Sequence, residues 1–181
     1  RDVNFILYEV LGAEKLCELP AFADHSREVF DMYLSTVRKF AREDFYPAYK
    51  PMDEEPPKLV NGEVKVHPIM HELYPKMAEL GLLTASRPPE VGGAELPLTI
   101  SNIANGYLMA ANASGFGYAG LTIGSARLIE AFGTDELKAR FMSPMYEGTF
   151  TGTMALTEPQ AGSSLSDVAT KAIPTNDGHY L

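Results

Sequence analysis

Residues 26–46 read SREVFDMYLSTVRKFAREDFY, and their apolar side chains recur at steps of three and four residues. This spacing predicts an amphipathic α-helix, because side chains three and four positions apart share one helix face. Asp24 or Ser26 can cap its first turn with a side-chain oxygen, and Pro47 is expected to end it. The predicted buried stripe comprises Val29, Phe30, Tyr33, Leu34, Val37, Phe40, Ala41 and Phe45.

Helical spacing also appears on both sides of this stretch. Residues 3–16 predict a short helix, interrupted at Gly12, whose apolar side is Phe5, Ile6, Val10 and Leu11. Further helices are expected at about 68–81, with a kink or split at Pro75, at 98–113 and at 118–132. A last helix begins at Thr134, with Leu137, Phe141 and Met145 along one stripe. These patterns predict an all-helical domain.

Two regions have strand character instead. Asn61-Gly62 lies inside Lys58–Val66 and predicts a small hairpin, because Asn-Gly readily adopts a type I′ turn. We interpret it as a surface excursion of the helical domain, the alternative being an exposed recognition flap. After Gly148, apolar residues alternate with polar or small ones over 150–157, which predicts a strand. A second strand is expected over 168–173, and Asn176-Asp177-Gly178 indicates a turn after it.

The predicted fold class is therefore α+β: an all-α domain followed by the start of an antiparallel β domain. We assign residues 1–18 to an N-terminal helical extension, 19–148 to the helical domain and 149–181 to the opening of the β domain. The strands found after residue 148 have no partners to close a sheet, so we interpret the chain as the front part of a longer protein.

Composition excludes several classes of function. The 181 residues carry a formal net charge of −9, which disfavours binding to a phosphate backbone, so no nucleic-acid partner is expected. The single cysteine, Cys17, can form neither an internal disulfide nor a zinc site alone, which suits a reducing, cytoplasmic location. The uncharged stretch between Glu95 and Arg127 contains Pro97 and five glycines, which indicates buried helices rather than a membrane span.

Two motifs receive structural interpretations. Residues 115–120, GFGYAG, match a dinucleotide-binding pattern, but that pattern needs a preceding strand, and the segment ahead of it here is helical. We interpret it as a glycine-rich connection between packed helices. His67 and His71 have the spacing of zinc ligands, but Pro68 places His67 ahead of the helix and no third ligand follows, so no metal site is assigned.

The segment Met154-Ala155-Leu156-Thr157-Glu158-Pro159-Gln160-Ala161-Gly162-Ser163-Ser164 is the strongest candidate for a binding site. It runs from a strand end into a loop of small and hydroxyl-bearing residues, where free backbone groups and hydroxyls can bind a phosphate-bearing ligand. The alternative is an ordinary turn capped by local serine and threonine hydrogen bonds.

Leu156-Thr157-Glu158-Pro159 followed by Gly162-Ser163 resembles the flavin-binding signature of the acyl-CoA dehydrogenase family. The segments at 77–82, 89–93 and 132–138 are similar to further parts of that family, in the same order and spacing. Residues 5–14 resemble an N-terminal extension of a bacterial subgroup with members like 3-methylmercaptopropionyl-CoA dehydrogenase.

The resemblance implies a three-domain enzyme that binds FAD, oxidises an acyl-CoA thioester between Cα and Cβ, passes electrons to an electron-transfer flavoprotein and forms a homodimer or homotetramer. It implies that Met154, Ala155 and Leu156 offer backbone groups to the flavin, that Thr157 donates its hydroxyl to it, and that Gly162 and Ser163 lie near the pyrophosphate. Ser163 would also contact the pantetheine arm of the substrate.

Residues 1–181 carry no expected catalytic side chain, because the resemblance implies that the proton-abstracting Glu and the C-terminal helical bundle lie beyond Leu181. The chain alone is therefore expected to be inactive. It departs from the family at Ser164, where an Asp is usual, and Asp167 is the nearby acid that could substitute. The alternative functions are a non-enzymatic helical module that binds acyl chains or proteins, and a flavin-dependent acyl-CoA oxidase.

Overall fold

The computed structural model describes residues 1–181. The chain starts with α1 (Asp2–Asn4), which continues as a π-helix over Phe5–Val10, and 3-10 turns follow at Ala13–Glu18 and Pro20–Phe22. The expected short helix is confirmed, with Gly12 in the left-handed conformation at its interruption. Its expected inner side is wrong: Leu7 and Tyr8 are buried, whereas Phe5, Ile6, Val10 and Leu11 are exposed. The wider π winding rotates the buried face away from the one that α-helical spacing predicts.

The main amphipathic helix is confirmed as α2 (Arg27–Phe40), and the Ser26 hydroxyl caps it by accepting the N–H of Val29 at 3.4 Å. Pro47, however, does not end the helical path. A π-helix over Ala41–Phe45 leads directly into α3 (Tyr46–Glu54), in whose first turn Pro47 lies. Phe45 ahead of Pro47 and Ala48 behind it are both fully buried, so packing on both sides holds the helical path together across the hydrogen bond that proline cannot donate.

The predicted hairpin is confirmed as β1 (Lys58–Val60) and β2 (Glu63–Lys65), an antiparallel pair in which Leu59 faces Val64. Asn61 and Gly62 form the turn with φ of 52° and 81°, the positive values that a type I′ turn requires. Both strands are exposed, which agrees with a surface excursion.

Helix α4 (Met70–Glu79) is continuous through Pro75, and Gly81, two residues after its end, has a φ of 68°. Of the kink or split expected at Pro75, the split is wrong. Met70 and Leu73 ahead of the proline and Met77 behind it are all buried in the same core, so packing on both sides holds the helix together across the missing hydrogen bond.

Helix α5 (Leu98–Phe132) contains one break, at Asn112, whose φ of −161° and ψ of 88° are not helical. The two expected helices are thus confirmed, but a single residue separates them and the glycines at 115–120 are helical. Asn112 is buried; its side chain accepts the N–H of Gly115 at 2.9 Å and donates to the carbonyl of Phe45 at 3.4 Å. A Cβ at Gly115 would lie 2.9 Å from the Phe45 ring, so this glycine permits close helix packing, as predicted.

The last helical region comprises α6 (Asp135–Leu137), a π-helix over Lys138–Met142, and α7 (Ser143–Tyr146). Thr134 caps it by accepting the N–H of Leu137 at 3.3 Å. The expected stripe of Leu137, Phe141 and Met145 is wrong by one position, because Met142 and Tyr146 are the buried side chains. As at the N-terminus, a π-helix shifts the inner face.

Beyond α7 the chain contains no paired strand at 150–157 or 168–173, so these two expected strands do not form. A strand needs a neighbour for its backbone hydrogen bonds, and residues 1–181 place none beside 150–157 and only Leu181 beside the end of 168–173, at Ile173. The turn at Asn176–Gly178 does form: Ile173 and Leu181 exchange two backbone hydrogen bonds of 3.0 Å around it. The expected helical domain is confirmed. Its main core is one cluster of 22 buried side chains, and no helix has both the length and the apolar character needed to cross a bilayer.

Candidate functional site

The segment ahead of the candidate site is fixed to the second half of α5. The Thr122 hydroxyl, itself buried, accepts the N–H of Gly152 at 3.0 Å and donates to the carbonyl of Tyr118 at 2.7 Å. The hydroxyl of Ser125, about one turn further along α5, donates to the carbonyl of Thr153 at 3.4 Å. Two helix hydroxyls therefore hold the backbone that leads into residue 154.

Gly152 allows this close approach. A Cβ at this position would lie 2.4 Å from Oγ and 2.5 Å from Cβ of Ser125, and 3.3 Å from Cα of Thr122. These distances are well below van der Waals contact, so any side chain would push the segment away from the helix. The glycine is thus needed for packing at this point.

Residues 154–157 form an open edge directly after this anchor. All four are exposed, Met154 to 67% and Leu156 to 45%. Their backbone N–H and C=O groups make no hydrogen bonds within the chain, and the Thr157 hydroxyl has no partner. Backbone groups of folded proteins are nearly always paired with protein or water, so this edge is available to a ligand or to a neighbouring strand.

Glu158 organises the turn that follows. Its backbone exchanges two hydrogen bonds with Ala161, of 2.9 and 3.1 Å, and Ala161 is buried. Its carboxylate accepts the hydroxyl of Thr170 and the N–H groups of Ala169 at 2.9 Å and Thr170 at 2.8 Å. The Thr170 hydroxyl, together with these N–H groups, lowers the pKa of Glu158 to about 2. The side chain is therefore ionised at neutral pH and joins the two sides of the loop.

Gly162 and Ser163 come directly after the Glu158–Ala161 turn and face solvent. Both are exposed, and a Cβ at Gly162 would meet nothing within 4 Å. Asp167, the acid considered as a substitute for the family's aspartate, ends a 3-10 turn (Leu165–Asp167) with its side chain exposed and without a hydrogen bond. The structure thus places the six predicted cofactor-binding residues on the two sides of the Glu158–Ala161 turn, all of them open to a ligand.

A second polar cluster supports the scaffold and was missed by sequence reasoning. Arg87, in the loop after α4, makes a two-pronged ion pair with Glu130 of α5, and the hydroxyl of Tyr146 of α7 also donates to Glu130. Burial raises the pKa of Glu130, but the hydrogen bonds from Arg87 and Tyr146 outweigh it and lower the pKa. The cluster ties three elements together. Its members are 43 and 16 residues apart, so no local pattern could have revealed it.

Comparison with known proteins identifies the family to which the helical domain belongs. Residues 28–149 match the model of the acyl-CoA dehydrogenase N-terminal domain. The chain is 30% identical to 3-methylmercaptopropionyl-CoA dehydrogenase of Ruegeria pomeroyi, a match covering 99% of this chain and 31% of that protein. It is also 30% identical to the mitochondrial short-chain specific acyl-CoA dehydrogenase of Bos taurus, a match covering 85% of this chain and 35% of that protein.

The structure of glutaryl-CoA dehydrogenase from Mycobacterium smegmatis superposes with a TM-score of 0.70 and 26% identity, over 86% of this chain and 37% of that one. The chain therefore spans about a third of the length of these relatives. The match to the bacterial relative covers more of this chain (99% against 85%) but a smaller share of the relative (31% against 35%). The bacterial relative is therefore the longer of these two proteins. Since the family model matches well over half of the residues, the chain belongs to the acyl-CoA dehydrogenase family and covers its N-terminal domain.

Proposed function

We propose that this chain is the N-terminal part of an FAD-dependent acyl-CoA dehydrogenase and that residues 154–163 form part of its flavin site. The open edge at 154–157 supports the proposal most directly. It combines unpaired backbone groups, a free Thr157 hydroxyl and two exposed apolar side chains, Met154 and Leu156. This set suits a flat heteroaromatic ring with a hydrogen-bonding rim.

The residues present fit the flavin by the chemistry of their donors. The backbone groups of Met154, Ala155 and Leu156 would meet the polar rim of the ring system, and the Thr157 hydroxyl would donate to it. FAD, when bound, would accept the hydride that leaves the β-carbon of the acyl group. Donors that are fixed before the reaction stabilise negative charge as it develops, because they need no reorganisation. The anchoring of residues 152 and 153 on α5 supplies that rigidity.

Gly162 and Ser163 would hold the phosphate-bearing parts of the ligands. The open space beside Gly162 lets an anion approach the backbone closely, and the Ser163 hydroxyl can donate to the pyrophosphate of FAD or to the pantetheine arm of acyl-CoA. The Ser164 hydroxyl lies 3.3 Å from that of Ser166 and adds to the polar surface of the loop.

Glu158 holds the loop and is not a candidate for the proton-abstracting base. Its pKa of about 2 makes it a weak base, and its carboxylate oxygens are already engaged by Ala169 and Thr170. We therefore propose that the base is a glutamate in another part of the complete polypeptide. An electron-transfer flavoprotein as electron acceptor, homodimer or homotetramer formation and a cytoplasmic location complete the proposal.

The test is flavin retention by the complete polypeptide that contains residues 1–181. We expect the purified protein to be yellow, and we expect Thr157→Val with Ser163→Ala to weaken FAD binding by at least about tenfold, the effect of losing about 1.4 kcal/mol. The matched control is Thr151→Val with Ser35→Ala, which changes two exposed hydroxyls outside the proposed contacts.

A colourless complete protein, or equal flavin loss in the test and control variants, would contradict the proposal. Anaerobic addition of an acyl-CoA such as butyryl-CoA should bleach the flavin. Slow return of the colour in air supports a dehydrogenase, and rapid return supports the oxidase alternative.

A further inference from the structure

Helix α4 carries a buried hydroxyl, that of Tyr74, beside the point where the chain leaves the helical domain. The tyrosine is 9% exposed and belongs to the main core cluster. A phenylalanine would fill the same apolar space, so packing in the core does not explain the hydroxyl. A buried tyrosine hydroxyl usually has a hydrogen-bond partner, and the partners of this one indicate what it does.

The Tyr74 hydroxyl faces two acceptors outside its own helix. It lies 3.3 Å from Oγ1 of Thr122 on α5 and 3.4 Å from the carbonyl oxygen of Phe150. Both distances are longer than the roughly 2.5–3.0 Å of ordinary O–H···O bonds, as expected for one proton that is shared between two acceptors. Burial raises the pKa of Tyr74 above its ordinary 10.0, so the hydroxyl is protonated at neutral pH and acts as a donor.

Both acceptors lead to the segment ahead of the open edge. The N–H of Phe150 donates to the carbonyl of Pro144 at 3.1 Å, and Tyr74 is the only partner of the Phe150 carbonyl within the chain. Two residues later, the N–H of Gly152 donates to the same Thr122 oxygen that Tyr74 contacts. Tyr74 therefore holds the segment twice, directly at Phe150 and through Thr122 at Gly152.

Tyr74 thus adds a second helix to the support of this segment. The side-chain hydrogen bonds from Thr122 and Ser125 both come from α5, and a segment held by one helix can still pivot about it. The Tyr74 hydroxyl comes from α4 and opposes that movement. Residues 154–157 follow directly, so the position of their backbone donors depends on this support. Donors stabilise developing negative charge best when they are fixed before the reaction.

We propose that Tyr74 is a positioning residue for the flavin. Its hydroxyl, shared between Thr122 and the carbonyl of Phe150, fixes residues 150–153, so that the backbone groups of residues 154–157 meet the flavin in one arrangement and favour its reduction. Tyr74 itself touches neither flavin nor substrate and acts only through this segment. The inference rests on the proposed flavin site and names a residue that supports it from the core.

The test compares Tyr74→Phe with Tyr33→Phe in the complete polypeptide that contains residues 1–181. Tyr33 of α2 is a partly buried tyrosine whose hydroxyl makes no hydrogen bond within the chain, so the control removes the same atom without these contacts. Two quantities are measured on the purified proteins: amide hydrogen exchange at residues 150–153, and the reduction potential of the bound flavin by dye-coupled titration. Thr122→Val, which removes the shared acceptor, is a second test variant, so the result does not depend on one variant folding.

We expect Tyr74→Phe to accelerate exchange at Gly152 about three- to tenfold, the effect of weakening one hydrogen bond. Flavin reduction should become less favourable by a similar factor, which lowers the two-electron potential by about 14–30 mV. Thr122→Val should change both quantities in the same direction, and Tyr33→Phe should change neither.

A yellow protein in which Tyr74→Phe and Tyr33→Phe give the same exchange and the same potential would overturn the inference and leave the proposed function intact. Faster exchange with an unchanged potential would overturn it as well, because Tyr74 would then support the fold without affecting the flavin. A colourless parent protein would count against the proposed function itself and, with it, against this inference.

Discussion

Gly152→Ala is expected to displace the proposed flavin-binding segment, residues 154–157, from α5. The added methyl would lie 2.4 Å from Oγ of Ser125, so the backbone has to move outward. That movement lengthens the 3.0 Å hydrogen bond from the N–H of Gly152 to Thr122 and the 3.4 Å bond from Ser125 to Thr153. Residues 154–157 follow directly, so the displacement is passed to the open edge.

The magnitude follows from the two contacts. Overpacking a closely packed position costs about 1–3 kcal/mol, and a lost hydrogen bond costs about 0.5–1.5 kcal/mol. We expect the free energy of unfolding to fall by about 1.5–4.5 kcal/mol, measured by urea denaturation followed by circular dichroism. In the complete polypeptide, flavin retention should fall as well.

Two further variants separate this mechanism from a general glycine effect. Gly162→Ala adds the same methyl where nothing lies within 4 Å, so its unfolding free energy should stay within about 0.5 kcal/mol of the parent. Ser125→Gly removes the two closest of the three atoms that the new methyl would meet and leaves only Cα of Thr122 at 3.3 Å, so combining it with Gly152→Ala should recover part of the flavin retention. If Gly152→Ala and Gly162→Ala behave alike, the close contact with α5 does not hold the segment and the reasoning is wrong.

Asn112→Ala should lower the free energy of unfolding by about 1–2 kcal/mol, because the second half of α5 loses its capping side chain. Asn102→Ala, an exposed position on the first half, should change it by less than about 0.5 kcal/mol in the same urea titration. Arg87→Met should destabilise the fold by about 1.5–3 kcal/mol, because it removes two charge-assisted hydrogen bonds from a largely buried carboxylate. Since folding lowers the pKa of Glu130 below its ordinary 4.5, this contribution is present above pH 4.5 and is lost as the pH falls through the lowered pKa. The stability difference between parent and Arg87→Met should therefore narrow in acid unfolding curves, and a constant difference would argue against the ion pair. Glu158→Gln should accelerate amide exchange at residues 169 and 170, and the parent should match the variant only as the pH falls toward 2.

The sequence predicted those elements whose cause is local. The α2 stripe was correct for Phe30, Leu34, Val37 and Phe40, because periodic apolar residues define the buried face of a regular helix. The Asn61-Gly62 turn was correct for a similar reason, since two residues and their positive φ values determine it. Neither feature depends on contacts with residues far away in the sequence.

Predictions failed where the helix itself was irregular. The apolar sides predicted for residues 3–16 and for the helix after Thr134 were both wrong, and both regions contain a π-helix. A wider turn changes which residues share a face, and no residue pattern in these segments distinguishes it from an α-turn. The predicted helix end at Pro47 was also wrong, because the π-helix before Tyr46 continues directly into α3.

The sequence predicted an exposed segment for the candidate site, and the assignment of that segment to a ligand stays a prediction; the contacts that hold the segment could not be predicted. Thr157, Gly162 and Ser163 lie in the open segment where hydroxyl and glycine content placed them. Glu158 reaches Thr170 twelve residues away, and Thr122 reaches Gly152 thirty residues away, so both contacts depend on the folded path of the chain.

The site also depends on the break in α5. Asn112 ends one helical segment and caps the next, and so it sets the direction of the second half of α5 relative to the first. That second half carries Thr122 and Ser125, which hold residues 152 and 153. A buried amide in the middle of an uncharged helix thus determines where the unpaired backbone of residues 154–157 is presented. This explains why a polar side chain is retained inside the core: an alanine would pack there, but it could neither accept the N–H of Gly115 nor donate to Phe45, and the two halves would lose their fixed angle.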